Sequence, residues 1–135
     1  MSTTEVSKRV ARRFVETFSN CQYDDWGALL ADDAVYEFPG TALVSGVFTK
    51  QEMIEKVKGI PLLFPNGIQL KIRNLTAEED RISVEAQGSA VSVEGVPYNN
   101  VYHMLFVIRD GQIKEAREYV DTILADKLFG PFISQ

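Results

Sequence analysis

Tyr98-Asn99-Asn100-Val101-Tyr102-His103-Met104-Leu105-Phe106-Val107-Ile108-Arg109-Asp110-Gly111-Gln112-Ile113-Lys114-Glu115-Ala116-Arg117-Glu118-Tyr119-Val120-Asp121-Thr122 is the stretch that decides the fold. Asp110-Gly111 is a hairpin signal, because both residue types accept the left-handed backbone that a tight two-residue turn requires. It predicts one strand over Tyr98–Arg109 and a final strand over Gln112–Thr122. From Val101 to Ile108 only His103 interrupts an apolar run. A strand apolar on both sides is one buried on both faces. Helices can cover one face, and a second subunit is the economical cover for the other. The expectation is a homodimer formed through the outer face of the sheet.

Upstream of this hairpin the period of two continues. Ile68, Leu70 and Ile72 alternate with Gln69, Lys71 and Arg73, and Ile82, Val84 and Ala86 alternate with Ser83, Glu85 and Gln87. Turns at Ala77–Asp80 and Glu94-Gly95 complete a four-strand meander. Before Gly67 the period is helical. Ser2 and Glu5 have capping-box spacing ahead of Val6, Val10, Phe14 and Phe18, which recur every four residues. Asp24 or Asp25 caps a short helix holding Trp26, Leu29 and Leu30. A brief extended run, Ala34–Phe38, is stopped by Pro39-Gly40, and Thr49 and Glu52 open a third helix with Met53, Ile54 and Val57 facing inward. Residues 59–67 read as a loop, and Ile123–Phe129 as a short terminal helix or arm. Three N-terminal helices followed by a meander predict an α+β domain, with the helices on one face of an antiparallel sheet.

The chain has 135 residues, 45% hydrophobic and 24% charged, which suits one domain spanning 1–135 with a single core. Its 14 basic residues against 19 acidic ones give a net charge of −5, which argues against nucleic acid as a partner. Lys8, Arg9, Arg12 and Arg13 read as a solvated helix face, since Glu5 and Glu16 stand at ion-pair spacing from Arg9 and Arg12. The single cysteine, Cys21, excludes an internal disulfide and reads as a small buried hydrophobe; the single histidine argues against a zinc site. No apolar run is long enough to span a membrane, and the first residues lack the pattern of a signal peptide. The expectation is a cytoplasmic protein without cofactor or metal.

Strand alternation also sorts the polar groups, and a one-residue slip inverts every assignment. Glu115, Arg117, Tyr119 and Asp121 share a side of the last strand. Asn100, Tyr102, Met104 and Phe106 share one in the strand before it, and Ser83, Glu85, Gln87 and Ser89 in the strand before that. Sparse polar groups among aromatics suit a curved sheet lining a ligand cavity. The same pattern suits an open sheet facing water, and periodicity alone leaves both open. Parity sets His103 with Val101, Leu105 and Val107, opposite the presumed pocket, as an interface or surface histidine.

The order of elements, with Tyr98-x-Asn100-x-Tyr102, Arg109-Asp110-Gly111-Gln112-Ile113-Lys114, Arg117-Glu118-Tyr119-Val120-Asp121-Thr122 and the junction Asp32-Asp33-Ala34-Val35-Tyr36, resembles the SnoaL-like family. That family belongs to the nuclear transport factor 2-like superfamily, together with ketosteroid isomerase, limonene epoxide hydrolase and scytalone dehydratase. The resemblance covers nearly the whole chain. It implies a cone, in which a strongly curved antiparallel sheet wraps against three helices around a deep pocket.

The resemblance also implies chemistry, position by position. Where ketosteroid isomerases carry an aspartate base before a proline, this chain has Phe38 before Pro39, and a phenyl ring accepts no proton. Their oxyanion-hole acid falls near Met104. The Arg-x-Asp pair of the epoxide hydrolases is replaced by Glu85-Ala86-Gln87. The essential aspartate of the SnoaL-type polyketide cyclases matches Asp121, the candidate acid/base, with a structural cap as its alternative role. Around it, Tyr102 and Glu85 are candidate catalytic partners, Glu85 alternatively pairing with Arg117. Trp26, Tyr36, Phe38, Gln87, Asn100, Met104, Phe106, Arg117 and Tyr119 are the candidate substrate contacts. The implied activity is a cofactor-independent cyclisation, isomerisation or dehydration of a small apolar oxygenated molecule of polyketide, terpenoid or steroid-like type. A non-catalytic ligand-binding or dimerisation module of the same fold is the main alternative, and an epoxide hydrolase the lesser one.

Overall fold

The computed structural model describes residues 2–133, so Met1, Ser134 and Gln135 at the ends of the expected 1–135 domain lie outside it. Helix α1 (Thr3–Ser19) starts where the Ser2 hydroxyl accepts the Glu5 N–H at 3.1 Å, as the cap spacing predicts. Its stripe buries Val10, Ala11, Phe14 and Val15 against the sheet. Helix α2 (Tyr23–Ala28) begins and ends about two residues earlier than expected: its N-cap is Gln22 and neither Asp24 nor Asp25, both aspartates lie in its first turn, and Leu30 already belongs to strand β1 (Leu30–Phe38). The strand therefore runs through Asp32-Asp33, with a register shift between Leu30 and Val35 that turns both carboxylates outward. A short strand β2 (Gly46–Thr49) leads into α3 (Lys50–Lys58), whose Thr49–Glu52 capping box is fully formed. Part of the expected loop is helical: α4 (Ile60–Leu63) has Pro61 in its first turn, where a missing N–H costs nothing.

Strands β3 (Gln69–Glu78), β4 (Arg81–Ser89), β5 (Val101–Arg109) and β6 (Gln112–Val120) form the predicted meander. Asp110 and Gly111 take φ of 54° and 73°, the left-handed pair that the β5–β6 turn demands. The sheet order is β2-β1-β6-β5-β4-β3. It is mixed rather than wholly antiparallel, because β1 lies parallel to β6. That pairing joins the two ends of the chain and buries β6 in the middle of the sheet. Helix α5 (Thr122–Ile133) is longer than the expected Ile123–Phe129 arm and packs Phe129 against Phe64 and Tyr98.

The core lies between the sheet and the helices. Phe14 stacks among Trp26, Tyr36 and Phe106, with ring centroids 4.8 to 6.4 Å apart. No described helix is long and apolar enough to cross a membrane.

Candidate active site

The inner face of β6 is what aims a carboxylate into the molecule. Ile113 points inward, but β6 slips by one residue against β5 between Ile113 and Glu115. Beyond that bulge the even residues face in: Ala116, Glu118 and Val120. Across the sheet, Met104 and Tyr102 stand opposite Glu118 and Val120, and Tyr36 opposite Ala116. Tyr36, Tyr102, Glu118 and Val120, with Trp26, Phe38, Val57, Phe129 and others, line a cavity of about 230 Å³.

Glu118 is the only carboxylate lining this cavity among the described residues. The residue as a whole is half-buried. Burial pushes its carboxyl up from 4.5 to about 7, and the hydrogen bond from Tyr36 pulls partly the other way. The Tyr36 hydroxyl donates to Glu118 Oε1 at 2.7 Å. Burial, with Glu118 nearby, holds the Tyr36 phenol well above its usual range, so it stays a donor. Tyr102 is likewise raised, by burial first and then by Tyr98 and Glu118, and Tyr98 is raised by burial to about 12. An acid near neutrality, ringed by neutral phenols in an apolar chamber, can take a proton from carbon and return it elsewhere. The phenols can meanwhile stabilise charge developing on a substrate oxygen.

Gly88 fixes where Tyr102 lies. A Cβ there would come within 2.6 Å of Tyr102 Cε1 and 3.0 Å of the Asn100 carbonyl, so only glycine lets the ring and strand β5 approach. Asn100 is fully buried, yet its amide is spent on the chain's own backbone and on Tyr98. It donates to Tyr98 Oη and the Asp121 carbonyl, and accepts from the N–H groups of Val101 and Asp121. It braces the junction between β6 and α5 and does not line the cavity.

Of the residues singled out in the sequence, Trp26, Tyr36, Phe38 and Tyr102 line the cavity. Met104 and Phe106 face the same way but are consumed by the core, Phe106 against Phe14 at 4.8 Å. Asp121 does not reach the cavity. It is exposed at the start of α5, where Oδ1 accepts the N–H groups of Ile123 at 3.1 Å and Leu124 at 3.3 Å. That is the capping alternative.

Glu85, Gln87, Arg117 and Tyr119 lie on the outer face, because Val84, Ala86 and Ala116 take the inner positions. Arg117 pairs with Glu37 at 3.2 Å and Glu115 at 3.5 Å rather than with Glu85. Gln87 accepts from Arg73 and donates to the carbonyls of Gly88, Asn99 and Asn100. His103 shares this face, 2.7 Å from the Ser83 hydroxyl. Cys21 is half-buried and free, with its backbone at φ 57°. Glu118 was missed because alternation carried forward from Ile113 points it outward. A residue pair that breaks alternation, buried Ile113 followed by small Ala116, is the sequence signal of the bulge.

Among the described residues no group of three or more His, Cys, Asp or Glu side chains is placed to hold a metal ion. The family model described as a SnoaL-like domain matches residues 11–116. A comparison with curated protein sequences finds no match. Among solved structures, the chain is similar to PrhC from Penicillium brasilianum, with a TM-score of 0.86 at 18% identity over 98% of this chain and 91% of that one. It also resembles an M. tuberculosis LEH-like epoxide hydrolase, at 0.77 and 20% over 97% and 95%. A nuclear transport factor 2-like protein from Anabaena variabilis matches at 0.75 and 22% over 87% and 89%. Identities this low carry the fold and not the reaction.

Proposed function

The chain belongs to the SnoaL-like domain family, and from that premise we propose that it is a cofactor-independent enzyme moving a proton at carbon, with Glu118 as its acid/base. The observation that carries this reading is a single carboxyl group, buried in an apolar cavity, hydrogen-bonded by Tyr36 and titrating near 7. A carboxylate poised at the working pH serves as both base and acid. Tyr102 and Tyr98 supply hydroxyls for a substrate carbonyl or hydroxyl.

The cavity of about 230 Å³ supports a substrate of one or two small rings; an apolar cavity of roughly 150 Å³ takes up benzene. Isomerisation, cyclisation and dehydration at a carbon beside a carbonyl all use this step. Epoxide opening has less support, since Glu85 and Gln87, which stand where that chemistry keeps its charged pair, face away from the cavity.

The test is Glu118→Gln, assayed by exchange of deuterium into small cyclic ketones and enones. Exchange falls by at least about a hundred-fold, while ligand binding followed through the fluorescence of Trp26 changes little. Exchange that survives the substitution removes the reading.

The proposal extends to a cytoplasmic homodimer joined through the outer face of the sheet. Val35, Val101 and Tyr119 are 47%, 54% and 45% exposed there, which supports an apolar contact. Sedimentation of the native chain against Val101→Glu tests it; a native chain that sediments as a monomer refutes the dimer.

A further inference from the structure

We propose that the cavity selects a small apolar carboxylic acid, held by Lys56 at the rim so that the far end of the molecule meets Glu118. The orientation rests on the role given to Glu118; the binding preference does not.

Met53, Lys56, Val57 and Ile60 form one helical face along α3 and its continuation, and all four line the cavity. Three are apolar, and a lysine stands where the pattern calls for a fourth. Lys56 is exposed, which sets it at the mouth. Its ammonium lies 4.3 Å from the ring centre of Phe48, another cavity wall.

Lys56 also differs from the other two lysines of α3, though among the described residues Lys8, Lys71 and Lys127 likewise form no salt bridge. Lys50 pairs with Asp32, Lys58 with Asp24 and Lys114 with Asp33, at 3.2, 2.8 and 3.1 Å. Among the described residues Lys56 forms no ion pair. Glu52, one helical turn back, accepts the Thr49 N–H, and the Lys56 charge is the smallest of the influences that act on its carboxyl. A cation without a salt bridge thus stands at the edge of an apolar chamber whose only other charged lining residue, among the described residues, is Glu118. A bound carboxylate is attracted at the rim and repelled by ionised Glu118 within. Both effects place it at the mouth, and the reacting carbon at the other end.

The experiment titrates Trp26 fluorescence with phenylacetate, 3-phenylpropionate and 4-phenylbutyrate, each against its methyl ester. At least one acid binds more tightly than its ester, by roughly five-fold. Lys56→Gln brings acid and ester together, and Lys56→Arg keeps them apart. Lys58→Gln, which removes the same charge from the same helix outside the cavity, leaves the preference intact. The proposal is overturned if acids and esters bind alike in the native protein, if none of them binds, or if Lys58→Gln erases the preference as fully as Lys56→Gln. These measurements need no turnover. A carboxylate preference that persists in a Glu118→Gln protein without exchange activity supports both readings, and one that persists while exchange survives supports this one alone.

Discussion

The Tyr36 hydroxyl donates a 2.7 Å hydrogen bond to Glu118 Oε1 across 82 residues of sequence, from strands that lie side by side only because β1 pairs parallel to β6. The bond favours the ionised carboxylate, whereas burial opposes it more strongly, and the balance leaves Glu118 near 7. Tyr36→Phe removes the opposing influence. The rising limb of kcat/KM against pH, expected near 7 in the native protein, then moves up by roughly one unit. A pH–rate profile on any exchanging ketone reads the shift, and a midpoint that does not move separates Tyr36 from the titrating group.

Glu118 also ties stability to pH. Its carboxyl titrates near 7 folded against 4.5 in the reference state, so the folded chain binds the extra proton between those values. The stability that the protonated form contributes is complete below 4.5 and is lost as pH rises through 7. The loss is about 3 kcal/mol. Glu118→Gln keeps the acceptor for Tyr36 and removes the titration. Urea unfolding at pH 5 and pH 8 is therefore expected to show the variant gaining on the native chain as pH rises. Parallel stability curves for the two proteins count against a buried, titrating Glu118.

Local chemistry made much of this legible in the sequence. Asp110-Gly111, Ser2 and Thr49 act within a few residues of themselves, and the turn and caps form as the residues dictate. The alternation of Ile82, Val84 and Ala86 needs only the pleat of one strand. What stayed hidden depends on two segments at once. The slip after Ile113 arises from pairing with β5, and the parallel contact of β1 with β6 unites residues from opposite ends of the chain. Those two features decide which carboxylate enters the cavity. Alternation groups Asp121 with Glu115, Arg117 and Tyr119, and the family resemblance points to Asp121 among them, while the inner position belongs to Glu118.

Asp121 carries a prediction of its own. Its side chain receives two N–H groups at the first turn of α5. Asp121→Ala leaves them without that partner and destabilises the fold by about 1 kcal/mol, whereas Asp121→Asn, a comparable cap, costs far less. Thermal unfolding of both variants distinguishes the roles. A proton-transfer rate that collapses in Asp121→Asn while its melting temperature holds returns this residue to the chemistry.

Helix α5 supplies one wall of the cavity, and a carboxylate on it ties that wall to the neighbouring loop. Asp126, on α5, accepts the backbone N–H of Leu43 at 3.0 Å and of Val44 at 3.1 Å, in the loop between β1 and β2. Val44 and Phe129 both line the cavity, so the clamp joins two of its walls. Carboxylate bonds to backbone N–H groups are among the stronger ones, worth about 1.5 to 3 kcal/mol. Asp126→Ala frees the loop from the helix without touching the lining. Amide exchange at Leu43 and Val44 is expected to quicken by roughly ten-fold or more, and a ligand bound beside Trp26 to dissociate faster at a nearly unchanged association rate. Asp126→Asn retains one acceptor oxygen and falls between. Stopped-flow fluorescence gives the two rates, and exchange at those amides that stays at the native level shows the loop to be anchored by other contacts.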